Sequence, residues 1–219
     1  PLLTKFFYHF VLYWTRWEIL KKKILNALMS SIKKNKPDLN DEQLEIIEYG
    51  LEGLYLTTIK IIIIILLSII LNIFKETILM ILFYNIPRFT TFGMHAKDSK
   101  SCLITSLLLF IGGTYLAIYA NITLPIKIVL SVICLILIII YAPADTEKRP
   151  LINPKKRKKF KILSIIICII LTILIIYFNN NYISNFMVIG LVECTIMILP
   201  ITYKIFGLPY NNYKSYRDI

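Results

Sequence analysis

Long apolar blocks constrain this chain more than any other feature of its sequence. One block, residues 61–71, reads IIIIILLSIIL, and comparable blocks recur toward the end of the chain. A helix needs about 20 predominantly apolar residues to cross a bilayer. We therefore predict an all-α integral membrane protein with about six transmembrane helices, the second of which is short and either re-entrant or sharply tilted. The predicted spans are roughly 54–74, 77–87, 103–120, 124–142, 161–178 and 183–203.

Composition and net charge agree with a membrane protein. Hydrophobic residues make up 57% of the chain, charged residues make up 17%, and the mean hydropathy is +0.70. These values exclude a disordered chain and argue against an ordinary soluble domain. The net charge of +12 would suggest nucleic acid on a soluble protein, but on an apolar chain it indicates basic loops at an anionic membrane face. We expect anionic membrane lipid as a partner and no nucleic acid.

The first 36 residues have a different pattern. Aromatic and aliphatic residues recur at helical spacing from Phe6 to Leu28, with basic residues among them. Such a helix is too charged to span a bilayer, so we predict an amphipathic helix over residues 1–36 that lies in the membrane interface. The alternative is a helix packed on a soluble domain, which the rest of the chain does not supply. Pro37 breaks this helix, and Asp38 or Asn40 is predicted to cap the next one.

Basic residues predict the orientation of the remaining polytopic domain, residues 37–219. They gather before residue 37 and at 88–100, 148–161 and 204–217, whereas the intervening turns carry almost no net charge. With six spans, every basic region falls on one side, which the positive-inside rule makes cytoplasmic. We therefore expect a multi-pass protein of the cell membrane with both termini inside. Its cytoplasmic loops include residues 88–102 and a basic loop at 143–161.

The cytoplasmic loop 88–102 contains the best candidates for chemistry, His95 and Cys102. The other three cysteines lie within apolar runs, where a thiol behaves as a small hydrophobic side chain. A cysteine nucleophile needs a base and later an acid, and histidine can serve as both. On a straight helix, however, seven residues separate the pair by about 10.5 Å. An accidental histidine and cysteine in a polar loop therefore remains the alternative.

His95 and Cys102 can meet only if His95 lies on a loop that folds back, for which Gly93 supplies the backbone freedom. Asp98 or Ser99 would then cap a helix with Cys102 in its first turn. The helix dipole at that position favours the thiolate.

Several segments resemble the accessory gene regulator B family, in order along nearly the whole chain. They are Gly93–Ala96 followed by Cys102, Tyr141–Pro150, Tyr49–Glu52 and Val192–Pro200. The resemblance implies a homodimeric membrane cysteine endopeptidase of Gram-positive quorum sensing. Such enzymes cut the C-terminal tail from a small AgrD-like propeptide and help to close a thiolactone or lactone ring. The resemblance makes His95 and Cys102 the catalytic pair.

Glu52 matches a position at which some members of the family carry glutamine. A carboxylate there would orient the His95 imidazole, and an amide would orient it or help to bind an oxyanion. The alternative is a solvated helix face, since Glu45, Glu48 and Glu52 share one side at helical spacing.

The remaining polar residues leave a second function open. Two histidines without clustered cysteines or carboxylates predict no metal site, and the lack of a glycine-rich phosphate loop predicts no nucleotide cofactor. Lys60 and Glu193 lie within apolar spans, where ionisable groups face the protein interior. They would line the path of a non-enzymatic small transporter or peptide exporter. A transporter also predicts internal repeats, and none is visible in the sequence.

Overall fold

The computed structural model describes residues 21–94, 99–146, 150–179 and 182–216. Within these ranges the chain forms helices joined by short turns and no β-strand. It divides into two compact units, residues 1–62 and residues 63–219. The prediction of an all-α chain is confirmed.

The first unit contains α1, residues 21–35, and most of α2, Asp41–Ile70. Asn40 and Gln43 cap α2 reciprocally. The Gln43 backbone N–H donates to Asn40 Oδ1 at 2.8 Å, and the Asn40 backbone N–H donates to Gln43 Oε1 at 3.1 Å. These bonds satisfy backbone donors that a helix start leaves without partners, so the predicted cap at Asn40 is confirmed. Residues 1–20 of the predicted interfacial helix lie outside the described residues.

The second unit contains the end of α2 and the remaining helices. A π-helical turn, Leu108–Gly112, joins α4 to α5, and a 3₁₀ turn, Asn212–Tyr216, ends the described chain. The helices are α3, Phe74–Thr91; α4, Ser99–Leu107; α5, Gly113–Tyr119; α6, Leu124–Tyr141; α7, Pro154–Tyr177; α8, Ile183–Ile196; and α9, Pro200–Ile205.

Helix α8 forms the centre of the second unit. Most of its 14 residues are buried, and it packs against α3, α5, α6 and α7. A helix that is apolar on all sides is expected in such a position. Gly190 permits the closest approach, because a Cβ atom there would lie 2.8 Å from backbone atoms of both Phe83 and Tyr84. A residue with a side chain at this position would therefore force α8 away from α3.

Among the described residues, four helical stretches are long and apolar enough to cross a bilayer. Their outward side chains are apolar and exposed, as at Leu66, Val129 and Ile173, which suits contact with lipid rather than water. The membrane class predicted from the sequence is thereby confirmed. The four stretches are Gln43–Ile70, Ser99–Tyr119, Leu124–Tyr141 and Pro154–Tyr177.

The other two predicted spans differ from the observed helices. The predicted short span 77–87 lies inside α3, which has 18 residues and continues past Pro87 to Thr91. Proline removes only one backbone N–H, and the hydroxyls of Thr90 and Thr91 both donate to the Pro87 carbonyl. The predicted span 183–203 is two helices, α8 and α9, and the count of six stays a prediction.

The predicted basic loop 143–161 is shorter than expected, because α7 begins at Pro154. The side chain of Asn153 caps this helix and accepts hydrogen bonds from the backbone N–H groups of Lys155 and Lys156 at 3.0 and 3.3 Å. Proline is favoured at the first helical position. The run Lys155–Lys159 therefore occupies the first turns of α7.

Candidate active site

Cys102 lies in the first turn of α4, which begins at Ser99. Its side chain is partly exposed, whereas Cys134 is 2% exposed and Cys168 and Cys194 are fully buried. All four cysteines are described, and none of them forms a disulfide. Cys102 is therefore the most accessible of the four thiols.

His95 lies outside the described residues, together with residues 96–98. Of the described residues on either side of this segment, Met94 is 3% exposed and Ser99 begins α4. The approach of His95 to Cys102 therefore stays a prediction.

The segment that leads into His95 is hydrogen-bonded on both sides. The Gly93 N–H donates to the Ala144 carbonyl at 2.9 Å, and the Ala144 N–H donates to the Thr91 carbonyl at 2.9 Å. On the other side, the Met94 N–H donates to the Met197 carbonyl at 3.1 Å, in the break between α8 and α9. Residues 92–94 thus run between two parts of the chain that are distant in sequence.

Gly93 is required by both its backbone conformation and its surroundings. Its φ is +113°, a value that residues with a Cβ atom rarely adopt. A Cβ atom would also collide with the guanidinium of Arg88 and lie 2.7 Å from the Met197 carbonyl oxygen. The predicted need for backbone freedom at Gly93 is confirmed, and the tight packing adds a second reason for glycine.

Arg88 is a residue of this site that the sequence analysis counted only as a loop charge. It lies in the last turn of α3, where its Nη2 donates to the Met94 carbonyl oxygen. Its guanidinium lies 5.9 Å from the centre of the Tyr84 ring. In the sequence, Arg88 is a single basic residue at the end of an apolar helix. A cation at the C-terminal end of a helix interacts favourably with the helix dipole, and this feature could have identified Arg88.

Asp145 anchors the segment 142–146, to which Gly93 is hydrogen-bonded. Its side chain is almost completely buried, and Oδ1 accepts from the backbone N–H of Asn212 at 3.0 Å. Oδ2 accepts from the backbone N–H of Tyr213 at 2.9 Å and from that of Leu151 at 3.3 Å, and it lies 3.7 Å from Nη1 of Arg157. One buried carboxylate thereby joins the 142–146 segment to α7 and to the end of the chain.

The backbone of Asp145 makes a further contact with α9. The Tyr203 hydroxyl donates to the Asp145 carbonyl oxygen at 2.8 Å, and Tyr203 is only 1% exposed. A protonated tyrosine hydroxyl is a hydrogen-bond donor, so Tyr203 can bond to this carbonyl at neutral pH. The sequence analysis used Tyr141–Pro150 only for the family resemblance and assigned Asp145 no role.

Glu52 lies on the part of α2 that belongs to the first unit. Its Oε1 forms an ion pair with Nζ of Lys21 at 3.0 Å, and the two side chains are 41% and 12% exposed respectively. Glu45 and Glu48 are exposed and Glu52 is partly buried, so Glu52 differs from its neighbours on the same helix face. The predicted role of Glu52 toward His95 stays a prediction.

Glu193 occupies the interior of the second unit, on α8. It is 9% exposed, and its carboxylate lies directly against Gly113, where a Cβ atom would meet Oε1. Its Oε2 is buried and has no hydrogen-bond partner among the described residues. This placement agrees with the general rule that ionisable groups in membrane helices face the protein interior.

Comparison with known proteins agrees with the resemblance seen in the sequence. The profile of the family described as Accessory gene regulator B matches residues 25–198. A putative AgrB-like protein of Clostridium acetobutylicum is 34% identical over 192 residues, which are 87% of this chain and 91% of the relative. An accessory gene regulator protein B of Staphylococcus aureus is 35% identical over 158 residues, covering 72% of this chain and 83% of the relative.

A putative AgrB-like protein of Listeria innocua is 31% identical over 172 residues, covering 78% of this chain and 83% of the relative. No solved structure matches the chain significantly. The matched region includes α3, the segment before His95, Cys102 and Asp145. The chain therefore belongs to the accessory gene regulator B family.

Proposed function

We propose that this protein is a membrane cysteine endopeptidase that removes the C-terminal tail of an AgrD-like propeptide and promotes closure of a thiolactone or lactone ring. Family membership supports a role in quorum-sensing peptide processing. The observation that carries the finer proposal is the position of Cys102. It is the partly exposed thiol in the first turn of a helix, seven residues after a histidine whose preceding segment is fixed on both sides.

The proposed reaction begins at Cys102. Its thiolate attacks the carbonyl carbon of the scissile peptide bond, the C–N bond breaks, and the His95 imidazolium gives its proton to the departing amine. The N-terminal part of the propeptide is then held as a thioester on Cys102. A thiol or hydroxyl of the same propeptide attacks this thioester, closes the ring, and releases Cys102 as a thiolate, and its own proton returns to His95.

The two anchors of residues 92–94 support this proposal through positioning. A catalytic group accelerates a reaction when it is held near the reacting atoms, and a displacement of about 1 Å can cost about 100-fold in rate. Gly93 and Met94 are bonded to Ala144 and Met197, so the chain enters residue 95 from a fixed point. We infer that these bonds limit the positions available to the His95 imidazole.

The membrane boundary favours ring closure over hydrolysis. Cys102 lies near the start of the apolar stretch Ser99–Tyr119, so the thioester would form where apolar surroundings begin. Exchange of one thioester for another costs little free energy, and exclusion of water lets it compete with hydrolysis. The positive-inside pattern supports a cytoplasmic position for this end of the helices, the side on which the uncleaved propeptide is made.

The proposal is tested by co-expression of this protein with the small propeptide encoded beside it and mass spectrometry of the products. Cys102→Ala should yield no cleaved tail and no ring, whereas Cys134→Ala, a change at a buried thiol, should yield both. Hydroxylamine, which cleaves thioesters, should release the propeptide fragment from wild-type protein trapped during turnover. Cleavage by Cys102→Ala protein at the wild-type rate in purified liposomes would refute the peptidase assignment.

A further inference from the structure

A cavity of about 310 Å³ lies at the end of the second unit that is far from Cys102. It is lined on one side by residues 120–123 and Lys127 and on the other by Asn179, Tyr182 and Asn185. Helix α6 has 18 residues and is therefore about 27 Å long. Its N-terminal end lines the cavity, whereas its C-terminal end leads to Ala144, which is bonded to Gly93. The cavity and the proposed active site thus lie at opposite ends of one helix.

Lys127 is the charged group of this cavity. It is 3% exposed, and its ammonium donates to Ser184 Oγ at 2.6 Å and to the backbone and side-chain oxygens of Asn179 at 3.3 and 3.5 Å. All of these acceptors are neutral. Within the described part of the chain no carboxylate pairs with Lys127, and the two turns, residues 120–123 and 178–185, contain no acidic residue in their sequence.

Burial of an ammonium group with only neutral partners costs free energy, because the charge loses its hydration and gains no ion pair in return. Arg157, another partly buried cation of the second unit, lies 3.7 Å from the buried carboxylate of Asp145. An anionic group in the cavity would supply the missing charge at Lys127. The cavity lining also contains the side chains of Asn121 and Tyr182, which provide neutral hydrogen-bond donors.

Exposed aromatic residues indicate the depth of this cavity in the membrane. Tyr119, Tyr177 and Tyr182 lie at the same end of α5, α7 and α8 and are 75%, 79% and 55% exposed. Tyrosine is enriched at the level of lipid headgroups, where its ring is apolar and its hydroxyl reaches water. The exposed tyrosines therefore support a position of the cavity near the level of the phospholipid phosphates.

We propose that this cavity binds the headgroup phosphate of an anionic phospholipid, with an ion pair between a phosphate oxygen and the Lys127 ammonium. The lipid belongs to the leaflet at the end of α6 away from Cys102. The site is separate from the basic run Lys155–Lys159, which begins α7 at the opposite end of the bundle. Lipid binding here does not depend on the proposed peptidase activity.

The test measures lipid binding by the purified full-length protein in detergent, with native mass spectrometry during titration. The probes are phosphatidylglycerol, phosphatidylcholine and inorganic phosphate. Lys127→Met should weaken phosphatidylglycerol binding by about tenfold or more, as expected for loss of a charge-assisted hydrogen bond, and Lys127→Arg should retain it. The control is the double variant Lys156→Gln, Lys159→Gln at the other end of α7. It should keep the phosphatidylglycerol binding that depends on Lys127.

Asn121→Leu provides a second variant that leaves the bonds of Lys127 untouched. It fills the exposed mouth of the cavity and should also weaken phosphatidylglycerol binding. Equal phosphatidylglycerol binding by wild-type, Lys127→Met and Asn121→Leu proteins would overturn the proposal. Equal affinity for phosphatidylcholine would overturn the choice of an anionic lipid, and complete displacement of the lipid by millimolar inorganic phosphate would make free phosphate the ligand instead.

Discussion

The guanidinium of Arg88 donates a hydrogen bond to the backbone carbonyl of Met94, the residue directly before His95. The N–H of Met94 is bonded in turn to the carbonyl of Met197. Both backbone polar groups of this one residue are therefore fixed, one by the end of α3 and the other by the break after α8. The chain enters the proposed catalytic histidine from a position that two separate elements determine.

Arg88→Met should slow propeptide cleavage by about 10- to 100-fold, because the Met94 carbonyl loses its donor and the residue that precedes the proposed catalytic histidine is held less firmly. The measurement is the rate of tail release from propeptide in liposomes. Lys75→Gln removes a positive charge from the exposed first turn of the same helix and serves as the control. Equal rates for wild-type and Arg88→Met proteins would mean that this hydrogen bond does not position the site.

Gly93→Ala should reduce cleavage by about 100-fold, because the new Cβ atom displaces Arg88 or the Met197 carbonyl and strains a backbone at φ +113°. Gly207→Ala is a matched control, since Gly207 also has a positive φ, +61°, but has open space around it. That control should lose only about 1 kcal/mol of stability and keep its activity. A similar loss of cleavage in both variants would point to general destabilisation rather than to the local collision at Gly93.

Asp145→Asn should lower the free energy of unfolding by about 3 kcal/mol, because it removes the charge opposite Arg157 and turns an amide donor toward backbone N–H groups. The measurement is denaturant unfolding in detergent micelles. Asp38→Asn, at an exposed position, should change the stability by less than about 0.5 kcal/mol. If Asp145→Asn is as stable as the wild-type protein but inactive, Asp145 acts in the reaction instead of holding the segment.

The sequence predicted the features of the fold and of this site that depend on neighbouring residues. The start of α4 at Ser99 and the cap at Asn40 follow from polar residues at the beginning of helical patterns. The special conformation of Gly93 follows from a glycine between an apolar helix and a polar segment. The helix starts depend on contacts within a few residues, so the local pattern contains that information; the packing of Gly93 against Met197 does not follow from it.

The sequence did not predict features that depend on distant parts of the chain. The carboxylate of Asp145 accepts a hydrogen bond from the backbone N–H of Asn212, 67 residues later. The residues that neighbour Asp145 in the sequence do not indicate this partner. The break after α8 did have a signal, since Leu199 precedes a proline and the residue before proline disfavours helix. Residues 183–203 are mostly apolar, so they were interpreted as one span. Hydropathy alone does not distinguish one continuous helix from two helices separated by a break.

Thiol labelling tests the proposed orientation. A hydrophilic maleimide added outside intact cells should not label Cys102, because the start of α4 is proposed to face the cytoplasm, and labelling should appear after permeabilisation. The other three cysteines are at most 2% exposed and should add little signal. Cys102→Ala protein should accordingly lose the label under both conditions. Equal labelling of the wild-type protein before and after permeabilisation would reverse the proposed topology.

Glu52→Ala should slow cleavage by about 10²- to 10⁴-fold if Glu52 orients the His95 imidazole, the range typical of assisted proton transfer. Glu52→Gln should keep appreciable activity, because the amide oxygen still accepts a hydrogen bond from an imidazole N–H. The ion pair with Lys21 provides the decisive comparison. A partly exposed pair of this kind contributes about 0.2–1 kcal/mol to stability, so Lys21→Met should cleave at nearly the wild-type rate. If Lys21→Met and Glu52→Ala both show the same small loss of stability and normal cleavage, Glu52 serves only as the partner of Lys21, and the proposed site consists of His95 and Cys102 alone.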